Sequence, residues 1–178
     1  MSETLEPALP RELDEKADQL MHRLCASNLM VATAESCTGG LLASLLTDIK
    51  GAGHGFDRGF VTYESQAKQD LLGLTPEMTD RNDAVTAAVA RAMAEGALQN
   101  SRSDIALSVT GFAGPAGDGK EEGLVHFGCA RRGKETILRE EHFGAIGRGP
   151  VRVAALGVLL ELLEQALDEA EREGKTDG

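Results

Sequence analysis

Three features are scarce in this sequence, and each scarcity excludes a class of protein. Only three cysteines are present, Cys25, Cys37 and Cys129, and no two form a Cys-x-x-Cys pair. This predicts neither a disulfide framework nor a zinc knuckle, and it favours a reducing compartment such as the cytoplasm. No apolar run is long enough to cross a bilayer, and residues 1–10 lack the apolar stretch of a secretory signal. We therefore expect a cytoplasmic protein with no membrane partner.

Basic residues are also few. The chain has 18 Lys and Arg against 29 Asp and Glu, which gives a formal charge of −11. A nucleic-acid backbone would meet a field of its own sign, so we predict no nucleic-acid partner, although a small anion can still bind a locally basic pocket. With 178 residues, 42% hydrophobic and 26% charged, the composition excludes a disordered or collagen-like chain. We expect one domain over residues 1–178, with a core at about 13–168.

The spacing of apolar residues predicts an α/β fold. Apolar residues between 13 and 24 recur every three or four positions, as in a helix with one buried face. The apolar run at 29–34 is typical of a strand buried on both sides. Four glycines in 50–59 predict a loop, and 124–130 with 136–143 predict an antiparallel hairpin. Together these patterns predict a three-layer α/β/α sandwich with a mixed, mostly parallel sheet.

The remaining elements follow from the same patterns. Ser65 is predicted to cap a short helix that Gly73 ends. Helices are predicted over about 10–27, 41–46, 65–72, 84–98 and 151–170, and strands over 29–34, 60–63, 105–110, 124–130 and 136–143.

Polar or glycine-rich segments follow three of the predicted strands, at 35–40, 63–68 and 110–119. Ligands of open α/β sheets gather at the carboxyl ends of strands, where helix N-termini offer free N–H groups. Ser36 is a candidate nucleophile in the first segment, because a lysine with a lowered pKa, such as Lys68, can act as its base. Tyr63 could relay the proton.

The same side chains also fit structural roles. Ser36 or Thr38 could cap a helix, Lys68 could be a solvated helix lysine, and Tyr63 could pack at a strand end. Residue types alone favour these structural roles. Cys37 is a second candidate nucleophile, although a buried core thiol is its commoner role.

Other candidate ligands give weaker signals. Arg148 and Arg152 are four residues apart and could hold a phosphate, or they could pair with surface acids. The four histidines lack metal-ligand spacing, so we predict no metal site; they are His22, His54, His126 and His142.

Three motifs in order resemble the CinA C-terminal domain family. They are Ala-Glu-Ser-Cys-Thr-Gly-Gly at 34–40, Gly-Phe-Val-Thr-Tyr-Glu-Ser-Gln-Ala-Lys at 59–68, and Thr-Gly-Phe-Ala-Gly-Pro at 110–115. The resemblance extends from about Leu13 to Leu167. It implies an α/β/α domain, and the further N-terminal nucleotide-pyrophosphatase domain of some members is expected to be absent.

Stand-alone members of the family are nicotinamide-nucleotide amidohydrolases, so the resemblance implies deamidation of nicotinamide mononucleotide to nicotinate mononucleotide and ammonia. It implies no cofactor and no metal, and it suggests a homodimer. The catalytic serine, tyrosine and lysine of the family fall on Ser36, Tyr63 and Lys68. The implied substrate-binding residues are Glu35, Cys37, Thr38, Gly39, Gly40, Thr110, Gly111, Ala113, Gly114 and Arg148.

The chain departs from the family pattern mainly in the loop at 115–125, where Glu121 and Glu122 stand. Two acids there could repel a nucleotide phosphate. This departure supports a second hypothesis, a nucleotide-binding or regulatory module that has lost turnover. A third hypothesis is an amidase of another small amide, because a serine–lysine pair does not itself select a nucleotide.

Overall fold

The apolar run that follows the first helix forms an inner strand of a mixed sheet. The structure, a computed structural model, describes residues 9–79, 85–117 and 119–176. The strands are β1 (Val31–Glu35), β2 (Phe56–Val61), β3 (Ile105–Gly111), β4 (Leu124–Arg131) and β5 (Ile137–His142). Their order in the sheet is β2-β1-β3-β4-β5. β1 is parallel to β2 and β3, whereas β4 is antiparallel to β3 and β5, so the predicted hairpin is confirmed.

Helices pack on both faces of this sheet. They are α1 (Arg11–Ala26), α2 (Leu41–Thr47), α3 (Ser65–Leu72), α4 (Pro76–Thr79), α5 (Ala87–Gln99) and α6 (Arg148–Thr176). None of these described helices is long and apolar enough to span a membrane.

Successive residues of a strand point to opposite faces, so one strand contributes to two cores. Leu107 of β3 packs in a large core with α1 and α6, and its neighbour Ala106 packs in a smaller core with α5. On β1, Val31 likewise packs in the large core and its neighbour Ala32 in the smaller one. The predicted three-layer α/β/α sandwich on a mixed sheet is therefore confirmed.

Segment 50–59 was predicted as a loop. This prediction is wrong for residues 56–59, because β2 begins at Phe56. The misleading glycine is Gly59, which lies where β2 passes α2. A Cβ at this position would lie 3.0 Å from Thr33 Oγ1 and 3.1 Å from Ala43 Cβ. Glycine is therefore present here for close packing and not for a turn.

Other boundaries also differ. Ser65 is the first residue of α3 and not its cap, because its hydroxyl donates to the carbonyl of Thr79 at 2.9 Å. The helix predicted from residue 84 begins at Ala87, and the side chain of Thr86 caps it by accepting a hydrogen bond from the amide of Val89. Residue 84 lies outside the described residues, and so do the predicted domain limits at 1 and 178. α6 is longer at both ends than the predicted 151–170. The left-handed Gly73 ends α3 as predicted.

One helix glycine fixes the packing of α3 against α5. A Cβ on Gly96 would overlap the main-chain carbonyl of Leu72. We expect Gly96→Ala to lower the free energy of unfolding by about 2 kcal/mol, because overpacking against rigid backbone outweighs the gain in helix propensity.

Gly157→Ala in α6 is the matched control, because its Cβ would meet only Leu13 Cδ2 at an ordinary 3.9 Å. It should raise stability by about 0.5 to 1 kcal/mol. Denaturant unfolding of both variants measures the difference, and equal stability of the two would contradict the packing argument.

Candidate active site

The carboxylate of Glu35 organises the turn that leads from β1 into α2. It is buried and accepts three hydrogen bonds, from Thr38 Oγ1 at 2.7 Å, Leu42 N at 3.0 Å and Ala43 N at 2.8 Å. The first turn of a helix has amides without intrahelical partners, and Glu35 satisfies two of them in α2. Glu35 was predicted as a substrate contact, but it lies outside the cavity lining and caps α2 from within the core.

The turn itself has a fixed backbone. Gly39 and Gly40 have φ of +65° and +94°, which glycine adopts without strain. The amide of Gly39 donates to the carbonyl of Ser36 at 3.1 Å, and the amide of Ser36 donates to Val109 of β3 at 3.1 Å. Ser36 is therefore held between its own turn and the neighbouring strand.

Lys68 on α3 reaches Ser36 from the next strand-to-helix connection. Its Nζ lies 3.3 Å from Ser36 Oγ, 2.8 Å from the carbonyl oxygen of Thr62 and 3.0 Å from that of Tyr63. The residue is only 2% exposed. Burial lowers the pKa of Lys68 below its usual value, and the carboxylate of Glu64 offsets part of this effect.

The three contacts match both protonation states of the amine. An ammonium has three N–H groups, one for each oxygen. The neutral amine donates two hydrogens to the carbonyls of Thr62 and Tyr63, and its lone pair then faces the hydroxyl of Ser36. Because burial favours the neutral form, Lys68 is arranged to accept the proton of Ser36.

Cys37, the alternative nucleophile, has the opposite electrostatic setting. Burial raises the pKa of its thiol to about 12. The nearby guanidinium of Arg152 lowers this pKa but does not reverse the effect of burial. A neutral thiol is a poor nucleophile, so the burial of Cys37 favours Ser36 as the candidate nucleophile.

Ser36 and Lys68 open onto a cavity of about 450 Å³. Nine of the predicted site residues line it: Ser36, Cys37, Tyr63, Lys68, Thr110, Gly111, Ala113, Gly114 and Arg148. Four others lie outside the lining, namely Glu35, Thr38, Gly39 and Gly40. They support the turn instead. Sequence reasoning missed Ser65, Thr79, Val85, Phe112 and Pro115, of which Ser65, Phe112 and Pro115 lay within motifs already identified.

Tyr63 contributes to the site through its backbone. Its carbonyl holds Lys68, whereas its side chain is 63% exposed and makes no hydrogen bond to Ser36 or Lys68. Tyr63 is among the residues that line the cavity. The predicted proton relay therefore has no direct path in this conformation.

The two arginines at the start of α6 have separate roles. Arg148 lines the cavity and lies over Gly114, where a Cβ would meet its guanidinium at 2.7 Å. Arg152 is outside the lining and its Nε donates to the carbonyl of Cys37 at 2.7 Å. Of these two arginines, Arg148 is the one placed to meet an anion in the cavity.

Glu121 and Glu122 of the altered loop are not part of the cavity lining. Glu121 contacts His142 Nδ1 at 2.7 Å. Over the described part of the chain, no group of three or more His, Cys, Asp and Glu side chains is arranged to hold a metal ion.

The chain is thus an α/β/α sandwich in which a serine and a lysine meet beyond the carboxyl ends of two adjacent parallel strands, β1 and β2. The sequence pattern of the CinA C-terminal domain matches residues 13–167. This chain belongs to the CinA C-terminal domain family.

The relatives are of two lengths. The nicotinamide-nucleotide amidohydrolase PncC of Escherichia coli K12 is 41% identical over 156 residues, covering 86% of this chain and 94% of the relative. A CinA-like protein of Syntrophobacter fumaroxidans is 44% identical over 149 residues, covering 83% of this chain but 35% of the relative. The chain spans only 27% to 35% of three such longer curated relatives.

The fold is similar to that of solved structures. The crystal structure of the competence/damage inducible protein CihA from Agrobacterium tumefaciens superposes with a TM-score of 0.85 at 42% identity, covering 90% of this chain and 98% of that one.

The capping role of Glu35 makes a stability prediction. Glu35→Ala leaves two buried amides and a hydroxyl without their acceptor, so we expect the free energy of unfolding to fall by about 3 kcal/mol. Asp70→Ala removes an exposed carboxylate that bonds only Gln66, and it should change stability by less than about 0.5 kcal/mol. Denaturant unfolding tests both variants, and a Glu35→Ala protein as stable as Asp70→Ala would refute the capping role.

Proposed function

We propose that this chain is a nicotinamide-nucleotide amidohydrolase with Ser36 as nucleophile and Lys68 as its general base. The observation that carries the proposal is the 3.3 Å contact between Lys68 Nζ and Ser36 Oγ inside a cavity that Arg148 also lines. The relative named for this activity spans 86% of the chain. This similarity supports nicotinamide mononucleotide as the substrate.

The proposed reaction has two halves. Ser36 Oγ attacks the carboxamide carbon while its proton moves to the neutral amine of Lys68. When the tetrahedral intermediate collapses, the carbon–nitrogen bond breaks and Lys68 returns the proton to the departing ammonia. Water then attacks the ester on Ser36, Lys68 accepts a proton from this water, and nicotinate mononucleotide leaves as the serine hydroxyl is restored.

The turn after Ser36 is the proposed oxyanion site. The amide of Gly39 already donates to Ser36 within the turn. Of the other residues of the turn, Cys37 lines the cavity, so its amide is the proposed donor to the developing negative charge.

The phosphate is proposed to bind in the same cavity, at Arg148 and the amides of Ala113 and Gly114. The amide of Phe112 is committed to the carbonyl of Leu124 at 2.9 Å and is not a proposed donor. Arg148 offers a planar guanidinium suited to two phosphate oxygens. Its place over Gly114 brings side-chain and main-chain donors to one point.

Tyr63 is proposed to take part in catalysis through two of its groups, the main-chain carbonyl and the phenol. Its carbonyl orients Lys68, and its phenol is proposed to meet the carboxamide once substrate is bound. The single-domain organisation, the homodimer and the cytoplasmic location also stay predictions.

Two variants test the chemistry directly. We expect Ser36→Ala and Lys68→Arg to lower ammonia release from nicotinamide mononucleotide by at least about 1,000-fold, the first by removing the nucleophile and the second because arginine stays protonated. The assay includes a chelator, and circular dichroism checks that each variant is folded. Full turnover by folded Ser36→Ala would rule out the proposed nucleophile.

The same assay separates the competing hypotheses. Nucleotide binding without product in the unmodified protein would favour the regulatory module. Equal turnover of a small amide that lacks phosphate would favour the broader amidase.

The pH profile tests the role of Lys68. We expect kcat/KM to rise with pH as Lys68 loses its proton, with a midpoint below the ordinary lysine value because burial lowers its pKa. Glu64 raises that pKa, so Glu64→Gln should move the midpoint to lower pH. Asp70→Asn, which changes an exposed carboxylate that is not among the groups acting on Lys68, should leave it unchanged. A profile unaffected by Glu64→Gln would argue against Lys68 as the titrating base.

A further inference from the structure

Arg152 connects α6 to the turn that carries the nucleophile. Its Nε donates to the carbonyl oxygen of Cys37 at 2.7 Å. Its guanidinium also lies beside Gly39, where an added Cβ would be 3.5 Å from Nη2. Within the described residues this arginine has no carboxylate partner, so its charge is directed at the turn.

This contact fixes the orientation of one peptide group. The carbonyl of residue i and the amide of residue i+1 point in opposite directions across a planar trans peptide. With the Cys37 carbonyl held toward α6, the Thr38 amide must point away from α6. Glu35 holds the same residue through the hydroxyl of Thr38 at 2.7 Å. The turn is thus fastened on one side by a cation and on the other by a carboxylate.

Two arginines that lie one turn apart on α6, Arg148 and Arg152, have different partners. Arg148 lines the cavity and Arg152 does not. The helix that presents a cation to the cavity therefore also holds the peptide next to Ser36.

We propose that Arg152 is a positioning residue, which holds the Cys37–Thr38 peptide and thereby keeps Ser36 and the amide of Cys37 in place for the reacting carbonyl. This inference rests on the proposed function and deepens it. It assigns Arg152 an effect on the chemical step, in contrast to Arg148, whose proposed role is to bind substrate.

Kinetics distinguish the two arginines. Arg152→Gln should lower kcat about 10- to 100-fold with little change in KM, because a misplaced oxyanion donor affects the transition state more than the bound substrate. Arg152→Lys keeps a cationic donor and should recover part of the loss. Arg148→Gln should mainly raise KM. The control is Arg139→Gln, which removes another arginine contact with α6, to Glu161, without touching the turn.

A second measurement does not depend on activity. Hydrogen exchange of peptides covering 36–43 should be roughly tenfold faster in Arg152→Gln than in the unmodified protein, and unchanged in Arg148→Gln and Arg139→Gln. If the unmodified protein releases no ammonia, the proposed function fails while this measurement still tests Arg152. Should Arg152→Gln not fold, Arg152→Lys supports the same comparison.

Two results would overturn the proposal. Unchanged exchange and unchanged kcat would show that the contact does not hold the turn. A rise in KM alone would make Arg152 a substrate contact.

Discussion

The buried amine of Lys68 is the group on which the rest of the site depends. A lysine withdrawn from water is costly to keep charged, and here two main-chain carbonyls, from Thr62 and Tyr63, fix where its hydrogens point. The remaining position of the amine faces Ser36. The fold thus fixes the direction of a lysine amine with backbone atoms that any sequence would supply at the end of β2, and this direction supports the proposed role of Lys68 as proton acceptor.

Holding that geometry requires order in the neighbouring strand. β1 delivers Ser36, and the amide of Thr62 donates to the carbonyl of Glu35 at 2.8 Å, which joins the ends of β1 and β2. The Glu35 carboxylate then caps α2, and Arg152 reaches the same turn from α6. The first of these contacts joins main-chain groups, and the other two are made by the side chains of Glu35 and Arg152, which do not line the cavity. The precision of the Ser36–Lys68 pair therefore comes from polar groups behind it.

The sequence predicted the layers and the sheet well because each apolar run or helical period is formed by many residues, so that one exceptional residue does not change the prediction. It failed where one residue serves an unusual local purpose. Gly59 indicated a loop although tight packing between β2 and α2 requires it, and Ser65 indicated a cap although its hydroxyl reaches Thr79. In the site, Ser36 and Lys68 could be named from the motifs. The separate partners of Arg148 and Arg152 could not, because a four-residue spacing does not reveal which side of a turn each guanidinium contacts.

The proposed nucleophile and its proposed base come from connections that follow two different strands, 32 residues apart in sequence. Before β2 pairs with β1, Lys68 is exposed to water and carries an ordinary positive charge, so it accepts no proton at neutral pH. Ser36 is then an unreactive alcohol. The proposed reactivity of Ser36 therefore arises only when the tertiary structure brings Lys68 to it. A nascent or partly unfolded chain carries no activated serine that could modify other molecules or the chain itself.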